Sequence, residues 1–117
     1  MKFYRFDKEV GFPIKQYDSQ GAHFIKVCRN KQENSIGFIQ LDVGGVVGYH
    51  QATVQQLFIV VQGEGWVTGK DREKISIKSG EGVMWEEGEW HESGSESGML
   101  ALVVESETID TSLLQEK

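Results

Sequence analysis

Gly44-Gly45-Val46-Val47-Gly48-Tyr49-His50-Gln51-Ala52-Thr53-Val54-Gln55-Gln56-Leu57-Phe58-Ile59-Val60-Val61-Gln62-Gly63 carries most of the information about the fold. Its apolar residues are largely β-branched or aromatic, the types that fit a pleated, half-buried surface. The unbroken run Leu57 to Val61 is far shorter than the roughly 18 apolar residues of a membrane helix and reads as a buried strand. Glycines close the stretch at both ends, where tight turns need a residue that tolerates positive φ.

The same rhythm recurs outward from this stretch. Short apolar or alternating runs predict strands over Phe24–Cys28, Ile36–Val43, Leu57–Val61, Gly65–Thr68, Lys74–Ile77, Gly82–Glu86 and Met99–Glu105. Turn signals stand at Gly44-Gly45, Gln62-Gly63, Thr68-Gly69-Lys70-Asp71, Ser79-Gly80 and Glu87-Gly88. Helical periodicity is nearly absent, so the chain is read as all-β, a sandwich or a closed barrel. A single helical turn is expected at Asp110–Gln115, where N-cap residues precede two leucines.

With 117 residues the chain has room for one domain, 1–117. Residues 1–20 hold Phe3, Tyr4, Phe6, Phe12 and Tyr17, too much apolar surface for a free tail, and are read as a segment that docks on the barrel or on a partner subunit. The N-terminus lacks the continuous apolar stretch of a signal peptide, and the lone Cys28 suits a reducing compartment, so a cytoplasmic location is expected. Cys28 lies in an apolar-alternating segment and is expected to be a packed, inert thiol.

The net charge of −6 is uneven: residues 1–78 carry eleven basic against eight acidic residues, whereas residues 79–117 carry one against ten. No clustered basic stretch favours nucleic acid, and no apolar span favours a membrane. Glu86, Glu87, Glu89 and Glu92 surround His91 in the sequence. If they approach its ring they favour the imidazolium, raise its pKa and repel anionic ligands.

His50 and Ala52 share one face of an extended strand, and Gln56 keeps that parity if no bulge intervenes. His91 follows some forty residues later, after the Gly82–Glu86 strand, and in an antiparallel barrel the two segments can be neighbours. Two imidazoles and an amide oxygen are donors for Zn, Fe, Ni, Cu or Mn. Trp90, beside His91, is expected to face a ligand, and Tyr49 to face away from the interior. His23 is read as a hydrogen-bonded strand histidine.

Spacing adds a resemblance. Gly44-(five residues)-His50-Gln51-Ala52-(three residues)-Gln56-(six residues)-Gly63 resembles the first motif of the cupin family, a glycine, a His-x-His pair, a glutamate and a closing glycine. Gly80-(five residues)-Glu86-Glu87-Gly88-(two residues)-His91-(three residues)-Ser95 resembles the second, which runs glycine, proline-x-glycine, histidine, asparagine. Together the two motifs span residues 44–95. The sequence departs from the pattern at Ala52, Gln56, Glu86 and Ser95; the first two changes remove a histidine and a carboxylate from the family's usual four-ligand metal shell.

The resemblance implies a cupin-type jelly roll, or double-stranded β-helix barrel, of eight to eleven short antiparallel strands, paired as a homodimer through its N-terminal segment. It implies a small-molecule site with His50, Gln56 and His91 as metal ligands and Ala52 and Trp90 in the ligand pocket. Two functions follow: dioxygenase-like or isomerase-like chemistry at a divalent transition metal, or a metal-free binding module or sensor.

Overall fold

The computed structural model describes residues 1–30, 34–112 and 114–117. A 3₁₀ turn at Lys8–Val10 precedes eight strands: β1 (Phe12–Pro13), β2 (Gln20–Asn30), β3 (Asn34–Gln51), β4 (Gln55–Thr68), β5 (Ile75–Lys78), β6 (Gly82–Trp85), β7 (Trp90–Gly94) and β8 (Met99–Ser106). All pairings are antiparallel. Cys28 falls within β2, but its side chain lies outside the described residues, as does Leu113.

Two long strands make the barrel. The first half of β3 pairs with β8 from Ser35↔Glu105 to Leu41↔Met99, and its second half pairs with β7 from Val46↔Gly94 to Gln51↔Trp90. In the same way β4 pairs with β8 over Gln55–Gly63 and with β7 over Trp66–Thr68. The cycle β3–β8–β4–β7 therefore closes on itself, the arrangement of a jelly-roll barrel. β2 and β6 extend the side that holds β8, and β5 extends the side that holds β7.

The glycines expected to end strands instead bend them. Gly44 (φ +77°) lies where β3 passes from β8 to β7, and Gly63 (φ +83°) lies where β4 does the same. Any Cβ at Gly63 would overlap the Gly98 carbonyl oxygen, so the crossing requires glycine on steric as well as torsional grounds. Strands predicted separately on either side of Gln62-Gly63 are one strand, β4. Within Asp110–Gln115, where a helical turn is expected, the Ser112 amide donates to the Asp110 carboxylate and the Leu114 amide to the Thr111 carbonyl; Leu113 lies outside the described residues.

Alternation places the core. Met99, Ala101 and Val103 of β8 and Phe58 and Val60 of β4 are at most 2% exposed, with Leu41, Val67 and Trp85 buried against them. Of the N-terminal aromatics, Phe12 lies against Phe24 and Phe6 against Phe38, whereas Phe3 and Tyr4 remain 89% and 75% exposed.

Candidate functional site

One end of the barrel opens into a cavity of about 240 Å³. His50 and His91 face each other across the β3–β7 ladder in direct register, with ring centroids 4.3 Å apart. The β3 register is irregular between Val47 and His50. That irregularity lets Val47 be buried in the core and His50 still reach the cavity, although the two positions have opposite parity. Each ring is sandwiched from behind: Tyr17 stacks on His50 at 4.1 Å, and Trp85 on His91 at 4.2 Å. The Trp85 indole N–H donates to the Thr68 carbonyl, which fixes that ring in turn.

Both imidazoles use Nδ1 on their own backbone neighbourhood. His50 Nδ1 lies 2.7 Å from the Gly48 carbonyl oxygen and His91 Nδ1 lies 3.2 Å from that of Glu89. A carbonyl can only accept, so Nδ1 carries the proton in each ring and, in the neutral form, Nε2 carries a lone pair. His91 is 3% exposed, and burial, aided by the adjacent His50, lowers its pKa to about 4 against the pull of the Glu89 carbonyl. It is neutral at physiological pH.

The glutamates of the His91 turn do not act as expected. Only the Glu89 main-chain carbonyl is bonded to the ring; Glu92 has the opposite parity to His91 in β7, and Glu86, Glu87 and Glu89 precede that strand in its turn. Glu92 pairs with Arg72, Glu86 accepts from Gln55, and the Glu89 carboxylate accepts the Glu86 amide. Parity also moves Trp90 out of the site: it stacks on Tyr49 and is not part of the cavity wall. Tyr49 faces the same outer side, its hydroxyl donating to the Lys70 carbonyl. His23 contacts Asp42 at 3.0 Å, away from the cavity.

Gln56 and Ala52 do line the cavity, joined by a residue that sequence reasoning missed. Glu105 stands opposite Gln56 in the β4–β8 register, and its carboxylate accepts the Gln56 amide at 3.3 Å. Burial raises the Glu105 pKa, although the Gln56 hydrogen bond and His50 oppose the shift. The signal was present: Glu105 continues the inward series Met99, Ala101, Val103 at every second residue. The remaining wall is mostly apolar and aromatic, from Phe12, Ile14, Phe24, Ile39 and Val54, and among the described residues it includes no Lys or Arg.

Solved structures share this architecture. RemF, a polyketide cyclase from Streptomyces resistomycificus, superposes with a TM-score of 0.76 at 13% identity over 92% of this chain and 81% of its own. A cupin-like protein from Thermotoga maritima gives 0.73 at 13% identity over 84% and 79%. The chain has the cupin fold. KdgF from Halomonas sp. matches with a TM-score of 0.67 at 24% identity over 85% and 94% of the two chains. No family model and no curated protein matches the sequence. At such identities the likeness carries the fold and not an activity.

The metal shell implied by the cupin resemblance does not fit the residues this cupin-fold chain supplies. Among the described residues no three His, Cys, Asp or Glu side chains are grouped to hold an ion. The Gln56 amide nitrogen is committed to Glu105, so the motif positions supply two imidazoles and one amide oxygen where metal sites ordinarily gather three strong donors, often with an anionic one among them.

Proposed function

We propose that the cavity binds a small uncharged molecule bearing hydrogen-bond donors, without a resident metal. One observation carries this reading: two imidazoles, each pinned through Nδ1, leave their Nε2 atoms adjacent in a mostly apolar chamber, and the buried ring of His91, held neutral, offers a lone pair there. Glu105, whose neutral form burial favours, adds a donor or acceptor beside Gln56. An anionic ligand would meet no Lys or Arg among the described residues of the wall. The volume lies just below the roughly 300–1,000 Å³ of pockets for drug-sized ligands, which favours a small occupant. The small-molecule role of RemF, named a polyketide cyclase, supports the choice of ligand class without specifying it. We further propose that exposed Phe3 and Tyr4 seat a second copy of the chain, giving a homodimer.

Charge discrimination tests the ligand reading. Benzamide and benzoate have nearly the same shape and size, so titration of each into EDTA-treated protein isolates the charge. Benzamide is expected to bind at least tenfold more tightly, with the preference reduced in His50→Ala and His91→Ala. Equal binding of the two, or binding restored only by added Zn²⁺ or Ni²⁺, overturns the reading.

A further inference from the structure

The connection between β1 and β2 runs across the open end of the barrel, and its backbone is unusual. Tyr17 and Asp18 are consecutive non-glycine residues with φ of +63° and +55°. L-residues seldom adopt this left-handed conformation, and a bulky aromatic side chain adopts it less readily than an aspartate. Two such residues in sequence persist only where their surroundings hold them.

Three features hold them. The Tyr17 ring lies parallel to His50, with 9° between the planes. The Tyr17 carbonyl rests directly over Gly48, so closely that any Cβ there would overlap its oxygen. The Gly48 amide donates to the Ser19 hydroxyl at 3.3 Å, and the Ser19 amide donates to the Gln16 carbonyl. These contacts join the connection to the segment of β3 that bears His50. Tyr17 itself is 51% exposed, so little packing covers it from outside. Ile14, Gln16 and Tyr17 of the same connection all line the cavity.

We infer that residues 14–19 form a strap that gates the cavity, with Tyr17 as the closing side chain and Gly48 as its seat. Closed, the strap stacks Tyr17 on His50 and roofs the chamber. Open, it releases two strained residues, which offsets the lost stack and keeps the two states close in free energy. Gly48 serves as the seat because only a residue without Cβ admits the strap backbone. The strap therefore sets which molecules reach His91, whose ring lies against that of His50. The inference deepens the ligand-binding reading and rests on it for its purpose, although its test needs no ligand.

Diethyl pyrocarbonate acylates an unprotonated imidazole nitrogen that it can reach, and peptide mapping by mass spectrometry reads each of the three histidines separately. In the full-length protein at neutral pH, Tyr17→Ala and Gly48→Ala are each expected to speed acylation of His91 at least fivefold. His23, outside the cavity, should stay within twofold of its original rate. Tyr17→Ala alone suffices should Gly48→Ala fail to fold. An unchanged His91 rate, or a parallel rise at all three histidines, overturns the strap while leaving the benzamide titration to judge the cavity independently.

Discussion

Acidifying the metal-free protein from pH 7 to pH 5 should cost it roughly 2 kcal/mol of stability through His91 alone. The folded ring titrates at about 4 and an unfolded histidine at about 6.5, so within this interval the unfolded chain binds the extra proton. Stability from this group is complete above the unfolded pKa and drains away as the pH falls from about 6.5 towards 4. At 3% exposure the ring has little water to soften the effect. Glu105 has the opposite sign, since its raised pKa makes the folded state the better proton binder just above the normal carboxylate range. The lowered carboxyls of Asp7, Asp42, Glu81 and Asp110 lose their contribution only below this interval. Urea unfolding followed by far-ultraviolet circular dichroism at pH 7, 6 and 5 measures the slope. His91→Phe, which keeps a ring against Trp85, is the comparison. The variant should lose most of the dependence and reveal the reverse trend of Glu105. If wild type and variant fall in parallel, His91 is not the buried neutral group described above.

Two shorter predictions follow from the same geometry. Gln56→Glu adds an anionic oxygen between the imidazole pair and Glu105, and Zn²⁺ or Ni²⁺ affinity measured by titration should tighten at least tenfold. In the absence of metal the two adjoining carboxyls raise one another's pKa, so the stability the variant loses relative to wild type should be larger at pH 7 than at pH 5; an unchanged metal affinity would mean that position 56 does not face the imidazoles. Phe3→Ser together with Tyr4→Ser should shift the mass seen by light scattering from about twice 13.2 kDa to the monomer value, and a wild-type protein that is already monomeric would remove the proposed dimer.

The all-β class was legible because turn glycines and β-branched runs reflect local requirements, and local requirements are written in adjacent residues. What escaped was the difference between a turn and a bend. Gly44-Gly45 and Gln62-Gly63 have the composition of chain reversals, but the strands continue through them because each half finds a different partner, β8 before and β7 after. Those partners are distant in sequence. β7 was not predicted because His91, Glu92, Ser93 and Gly94 lack apolar alternation; this strand is buried through ladder pairing, the His91 stack and the Arg72–Glu92 ion pair. The histidine pair was found by motif spacing, and Glu105 was missed because it belongs to neither motif.

Parity ties these observations into one account of why the His91 imidazole can be neutral. A turn crowded with glutamates ought to stabilise an imidazolium, and it would if the carboxylates shared the chamber with the ring. In an extended strand His91 points into the chamber while Trp90 and Glu92 lie on the opposite face, where the buried Glu92 carboxylate is paired with Arg72. These carboxylates are thereby separated from a chamber in which, among the described residues, the carboxyl is that of Glu105, held by burial towards its neutral form. Moving a carboxylate from the outer face to the inner one would change the ligand preference of the chamber without altering the fold. The inward positions of β4, β7 and β8 therefore determine what this barrel can bind, and the charge of the chain as a whole does not.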